Sequence, residues 1–279
     1  KPVASSPGHS MVPEIYRPVV DSTMDEARRL VTTSDVWASR DIFVVRAGHQ
    51  TAGRGRRGTL WYDRPGKAIL ATIVLRHDHS RVRFDSTLPL RAGLGVCRGL
   101  ETVLSASVPV LQLKWPNDVL VRDRKLAGIL VESNATRAFI GIGINLAPVD
   151  PPGEGLMPIS MRELFPGTEE PRGESVWPPV LREVQRALVD DRWHHGILQR
   201  LAWRDRPVEI EGRAGRIVGL SLDGSLEFRT ERGTEEKIVT GTLRDRSLGV
   251  NPRGPLSSAG AVPPVQTDDA GLRDRETRE

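Results

Sequence analysis

The chain has 279 residues, 38% of them hydrophobic and few aromatic, enough for one large domain plus a small one. A formal charge of +4 and a sequence pI near 9.6 form a weak basic excess, which permits an acidic partner but does not demonstrate nucleic-acid binding. No apolar stretch approaches the ~18–20 residues of a membrane span, and the single cysteine, Cys97, cannot form an internal disulfide, which fits a reducing cytoplasm.

Residues 1–14 carry Pro and Ser but no apolar signal core and read as a flexible arm, with Met11 a candidate start. Ile15 to Val20 reads as a strand. Asp21-Ser22-Thr23 supplies N-cap candidates for a helix from about Met24 to Leu30. Ile42 to Val45 is an apolar strand, followed by the glycine-punctuated run Gly53-Arg54-Gly55-Arg56-Arg57-Gly58. A β-rich run, Ala68 to Leu75, comes next. Ser86 can cap a helix over about Thr87 to Leu104, in which Gly93, Gly95 and Gly99 cost helix propensity but allow close packing. Strands cluster from 110 to 146: Val110 to Leu113, Val119 to Val121, Lys125 to Glu132 and Phe139 to Leu146. A Pro/Gly-rich loop over 147–173 holds a short helix near Ser160 to Leu164. Val176 to about Trp203 is helical, with Pro178-Pro179 expected to break it near its start and Gly196 a candidate second break. From Pro207 the pattern turns to short strands, 208–210, 215–220, 225–230 and 235–239, with Asp223-Gly224 and Arg232-Gly233 turns. The polar stretch from Leu248 has too few apolar residues to fold alone.

The glycine loop is the most informative segment. Glycine lets backbone approach a ligand, and arginine offers a planar fork of donors to phosphate and carboxylate oxygens. Gly53-x-Gly55-x-x-Gly58 also matches a dinucleotide fingerprint, but that motif needs a helix directly after the glycines. Here Thr59-Leu60-Trp61-Tyr62, a Pro65-Gly66 turn and a strand follow, so that reading is rejected. A P-loop fails because no Gly-Lys-Ser/Thr closes the motif. A solvated basic turn remains the bland alternative. His77-Asp78-His79 could suggest a metal, but lacks further ligands at suitable spacing and reads as a polar loop.

The loop does not stand alone. Gln50-Thr51-Ala52 precedes it and Trp61 follows. Lys114-Trp115-Pro116-Asn117-Asp118, Lys125-Leu126-Ala127-Gly128-Ile129-Leu130-Val131-Glu132 and a strand ending in Asn145 come next. In this order the segments resemble the catalytic domain of biotin protein ligases, over about residues 15–246. The resemblance implies an α/β fold: a mixed sheet flanked by helices over 15–205, a small SH3-like β-barrel over 206–247, and a disordered tail over 248–279. No helix-turn-helix precedes Ile15, so the form implied is one without the N-terminal DNA-binding domain.

The implied reaction joins biotin to ATP as biotinyl-5'-AMP, with Mg²⁺, and then to a lysine of a biotin carboxyl carrier domain. Neither nucleic acid nor membrane is an expected partner, and the implied location is cytoplasmic. By resemblance, Lys125 contacts the biotin carboxylate and α-phosphate, with Arg54 and Arg56 beside it as catalytic cations. Biotin would be held by Ser22, Thr23, Gln50, Gly53, Arg54, Lys125, Gly128 and Ile129. The adenylate would be held by Arg54, Arg56, Trp61, Asn117, Lys125, Asn145 and Arg244, with Asp118 a candidate Mg²⁺ contact. Each has a plainer alternative: an edge charge for Lys125, core packing for Trp61, a rim charge for Arg244, ordinary caps for Ser22 and Thr23, an Asn-Asp turn for Asn117 and Asp118. Arg57 is assigned to solvent, and the loop is expected to order around its ligand. Met24, and His49 and Thr51 on either side of Gln50, depart from the family pattern. A lipoate-type ligase is the nearest enzymatic rival; a basic-loop nucleic-acid-binding module is the rival from another class.

Overall fold

The computed structural model describes residues 12–77, 81–104, 110–150, 156–164 and 171–246. The expected arm before residue 12, His79 and the tail from 248 lie outside these residues.

A seven-stranded mixed sheet forms the larger part, in the order β1-β2-β3-β7-β6-β5-β4. Its strands are β1 (Glu14–Arg17), β2 (Ile42–Ala47), β3 (Ala68–Arg76), β4 (Gln112–Lys114), β5 (Asp118–Val121), β6 (Arg124–Ser133) and β7 (Arg137–Asn145). Only β1 with β2 is parallel; the other neighbours are antiparallel. Next to the central strand β7 lies β3, whose residues from Ala68 to Leu75 are all buried. Burial on both faces explains its unbroken apolar run.

One face of the sheet carries α1 (Thr23–Thr33), whose Met24 and Ala27 pack with Phe43, Val45, Val74 and Phe139. The other carries α3 (Leu88–Val103) and α5 (Gly173–Leu188); α2 (Asp35–Ala38), α4 (Met161–Leu164) and α6 (Trp193–Leu198) are short. These two helices meet backbone to backbone. A Cβ on Gly95 would lie 2.3 Å from Cα of Val184, and one on Gly99 would lie 2.4 Å from Cα of Val180. The helix glycines therefore set the approach of α5. Gly95→Ala should force the helices apart and cost about 1–3 kcal/mol, the usual range for overpacking. For a protein of this size that is a fall of roughly 2–12 °C in Tm; an unchanged melt would show that the contact yields freely.

Two expectations need correction. Pro178 and Pro179 lie inside α5 and do not end it. They sit in its second turn, where the missing N–H groups remove two early bonds, while Val180 and Val184 downstream are locked onto α3. Ser86 does not cap α3. Its hydroxyl donates to the Asp223 carbonyl, and Asp85 accepts from the Thr87 N–H at 2.9 Å instead.

The second sheet is antiparallel and five-stranded, in the order β11-β10-β9-β8-β12. It comprises β8 (Pro207–Ile210), β9 (Arg213–Leu220), β10 (Leu226–Thr230), β11 (Glu235–Ile238) and β12 (Leu243–Asp245). The last strand was not foreseen. Polar tethers join this sheet to the first: Trp115 Nε1 donates to the Gly224 carbonyl at 3.0 Å, and Arg206 bridges Asp123 and Asp245 at 2.9 and 3.1 Å.

Candidate active site

Strand alternation brings one row of residues onto the α1 face of the sheet. Register across the sheet pairs Leu70 with Gly143, Gly143 with Gly128, and Gly128 with Asp118. Two glycines side by side leave a hollow, and the indole of Trp61 fills part of it. A Cβ on Gly143 would lie 2.5 Å from that ring, and one on Gly128 would lie 3.0 Å from it. The indole N–H is buried and has no hydrogen-bond partner, an orphaned donor of the kind that asks for a ligand.

Trp61 is delivered by the arginine loop, which folds as a small hairpin. Trp61 N–H donates to the Gly53 carbonyl and Gly55 N–H to the Thr59 carbonyl, at 2.9 and 2.7 Å. Gly53 is needed for proximity: a Cβ there would lie 2.7 Å from the Trp61 carbonyl oxygen. At the tip Arg57 takes a left-handed conformation, φ 53°, before Gly58 at φ 76°.

Lys125, on β6, points at the same hollow. Its Nζ lies 2.7 Å from Asp118 Oδ1 and 5.5 Å from the centre of the Trp61 ring. Its backbone is held on both sides, N–H to the Met157 carbonyl and C=O from the Ile159 N–H. Lys114, only 7% exposed, approaches the other carboxylate oxygen at 3.6 Å. Burial raises the Asp118 carboxyl pKa, but the ammonium groups of Lys125 and Lys114 together carry it below its ordinary value. Burial lowers the Lys114 pKa, opposed by Asp118.

Above the hollow, Arg56 donates to Asn117 Oδ1 at 3.3 Å and lies 3.5 Å from the Gly241 carbonyl. Asn117 in turn donates to the Ile129 carbonyl at 2.8 Å. Burial, and then Arg57 beside it, lower the Arg56 pKa. At the opposite end Ser22 caps α1, accepting from Met24 N–H at 3.3 Å. Gln50 Oε1 accepts from the backbone N–H and hydroxyl of Thr23 at 2.7 and 3.0 Å, and the Thr72 hydroxyl donates to that of Thr23 at 2.9 Å.

Lys125, Asp118, Asn117, Arg56, Trp61 and Gly128 thus converge, with Ser22, Thr23, Gln50 and Gly53 beside them. Ile129 contributes backbone only, because its side chain turns toward Gly93 of α3. Asn145 does not face the hollow with its amide N–H groups; they go to the carbonyls of Lys125 and Ile159, both at 3.2 Å. Arg54 points outward to Asp25 at 2.7 Å. Arg57 is exposed, as expected, and on that surface it pairs with Glu211 of the second sheet at 2.7 Å and touches Thr242. Arg244, exposed on β12, joins Arg57, Glu209, Glu211, Gly212 and Thr242 around a cavity of 320 Å³. Of the three departures, Met24 is core, His49 pairs with Asp63 at 2.8 Å, and the Thr51 N–H donates to the Val20 carbonyl at 2.9 Å.

Sequence reasoning missed Thr72, the burial of Lys114, and the partners Glu211 and Gly241. Of these only Lys114 carried a signal, its place in the Lys-Trp-Pro-Asn-Asp run. A resident magnesium does not fit the side chains as they stand. Asp118 is occupied by two ammonium groups, and no cluster of three or more metal-binding side chains occurs among the described residues.

Residues 16–147 match the biotin/lipoate A/B protein ligase family. The chain is 32% identical over 200 residues to the biotin–[acetyl-CoA-carboxylase] ligase of Mycobacterium tuberculosis, covering 70% of this chain and 72% of that protein. Among solved structures it resembles the biotin protein ligase from Aquifex aeolicus in complex with biotin and ATP, with TM-score 0.71 and 26% identity over 84% of this chain and 99% of that one. It also resembles the Leishmania major enzyme in complex with biotinyl-5-AMP, with TM-score 0.56 and 25% identity over 81% and 98% of the two chains. The chain belongs to the biotin/lipoate A/B protein ligase family and, within it, to the biotin protein ligases.

Proposed function

We infer that the chain is an ATP-dependent biotin protein ligase working in the cytoplasm on a biotin carboxyl carrier domain, that of acetyl-CoA carboxylase being the first candidate. The observation that carries this is Lys125, held against Asp118 beneath Trp61 and Arg56 over a hollow floored by glycines. The residue roles below are proposals.

A biotin carboxylate oxygen attacks the α-phosphorus of ATP, and pyrophosphate leaves. Both reactants are anions, so cations must surround the reacting atoms. Lys125 exchanges Asp118 for the carboxylate and α-phosphate oxygens. Lys114 keeps Asp118 compensated as this happens. Arg56, steadied by Asn117, covers the phosphate, and Arg54 joins it on leaving Asp25. Trp61 stacks on the adenine, Arg244 approaches the nucleotide from the second sheet, and Asn145 fixes the backbone of Lys125. Ser22, Thr23, Gln50 and the backbone at Gly53, Gly128 and Ile129 enclose biotin. Mg²⁺ enters with ATP as the MgATP substrate. The acceptor ε-amine then attacks the acyl carbon, forms the amide and releases AMP. The catalytic part spans 15–205 and the SH3-like module 206–247.

The test is incubation with biotin and α-labelled ATP, then with a carrier domain. Biotinyl-AMP, pyrophosphate and a biotinylated lysine are expected. Lipoyl-AMP formed in preference to biotinyl-AMP would overturn the assignment.

A further inference from the structure

Thr72 lies in the middle of β3, fully buried, and plays no part in the roles above. Its hydroxyl belongs to a chain whose donors and acceptors have a single consistent arrangement. The backbone N–H of Thr23 can only donate, so the side-chain atom of Gln50 that meets it at 2.7 Å must be the oxygen. That oxygen can only accept, so the Thr23 hydroxyl, 3.0 Å away, spends its one proton there. The Thr72 hydroxyl, 2.9 Å from the Thr23 oxygen, must then donate to it.

We propose that Thr72 is a positioning residue that holds the Thr23 hydroxyl, and with it the hydrogen-bond polarity of the biotin pocket, in place: Thr72 donates to Thr23, Thr23 donates to Gln50, and the ligand meets a fixed pattern of donors and acceptors. This rests on the biotin reading above. With its oxygen engaged, Gln50 turns its NH₂ group toward Gly53, where Nε2 lies 2.9 Å from the place a Cβ would occupy. Ser22 Oγ accepts from the Met24 N–H, which leaves its O–H free to donate. Thr23, its proton committed, has only a lone pair to offer. The pocket therefore presents donors at Ser22 and Gln50 and an acceptor at Thr23. A cyclic urea has the complementary pattern, a carbonyl flanked by N–H groups. A dithiolane ring has neither group and would leave these polar atoms unpaired, which is how a polar pocket rejects an apolar analogue. Without the Thr72 proton, the buried Thr23 oxygen keeps its bond to Gln50 but loses the second bond that fixes it, so its lone pair is no longer held toward the ligand.

The test compares wild type with Thr72→Val, Thr72→Ala and Thr72→Ser in the adenylation assay, varying biotin and MgATP separately. Valine keeps the shape and suits a strand. Thr72→Val and Thr72→Ala should both raise KM for biotin roughly tenfold, as expected for a buried acceptor left without its donor. They should leave kcat and KM for MgATP within about twofold, because only ligand binding is touched. Thr72→Ser should restore the wild-type KM. If wild type forms no biotinyl-AMP, the ligase reading falls. If wild type forms it and Thr72→Val or Thr72→Ala binds biotin as wild type does, the relay is wrong. A Thr72→Ser variant as impaired as Thr72→Val would also overturn it, because packing would then be the cause.

Discussion

Lys125→Ala is expected to slow biotinyl-AMP formation by roughly 10²–10³, the loss that follows removal of one preorganised charge-stabilising donor. Negative charge grows on the α-phosphate oxygens as the carboxylate approaches, and Lys125 supplies the cation nearest the glycine floor, 2.7 Å from Asp118 in the resting arrangement. The fold should survive the change. Lys114 stays 3.6 Å from Asp118, so the buried carboxylate retains one counter-charge, whereas a buried charge left without any partner would be strongly destabilising. Turnover and thermal melting measured together separate the two effects. A variant that melts like wild type and turns over at a near-normal rate would remove Lys125 from the chemistry.

Arg56→Gly should act on retention more than on formation. A mixed anhydride is useful only while it stays in the site, and closure over it excludes the water that would hydrolyse it. Arg56 spans from Asn117 to the Gly241 carbonyl and so joins the hairpin to both sheets. Its loss removes a cation and two attachments at once. Adenylate binding should weaken by about 1.5–3 kcal/mol, the range for a hydrogen bond to a charged group. Because Lys125 remains, the adenylate still forms, leaks and acylates bystander lysines. Incubation with biotin, MgATP and serum albumin reads this as albumin labelling above wild type. A variant that makes the adenylate but releases it no faster would show that Arg56 does not retain it.

Much of the architecture was legible because its signals are local. The apolar run of β3, the Asp21-Ser22-Thr23 cap and the Asp223-Gly224 turn are each written within a few residues. Long-range partners were not. Nothing beside Arg57 announces Glu211, more than 150 positions away, so its exposure was legible and its partner was not. Thr72 is invisible inside a β-rich run, where a threonine is an ordinary strand former. Pro178-Pro179 misled because local propensity disfavours proline within a helix, while the contact that overrides it lies on α3. The resemblance identified the right neighbourhood, but which way Arg54 and Asn145 turn depends on partners brought together only by folding.

The hollow under Trp61 exists because side chains are missing. Gly128 and Gly143 occupy strand interiors, where each glycine costs about 0.5–1 kcal/mol relative to alanine. The two together withhold on the order of 1–2 kcal/mol of stability from the sheet. The compensation sits next door, in β3, with its eight consecutive buried residues. Selection for robustness and selection for substrate room therefore pull on adjacent strands in opposite directions. Substitutions that make this sheet more heat-resistant by adding methyl groups to β6 or β7 do so by filling the space the ligand needs.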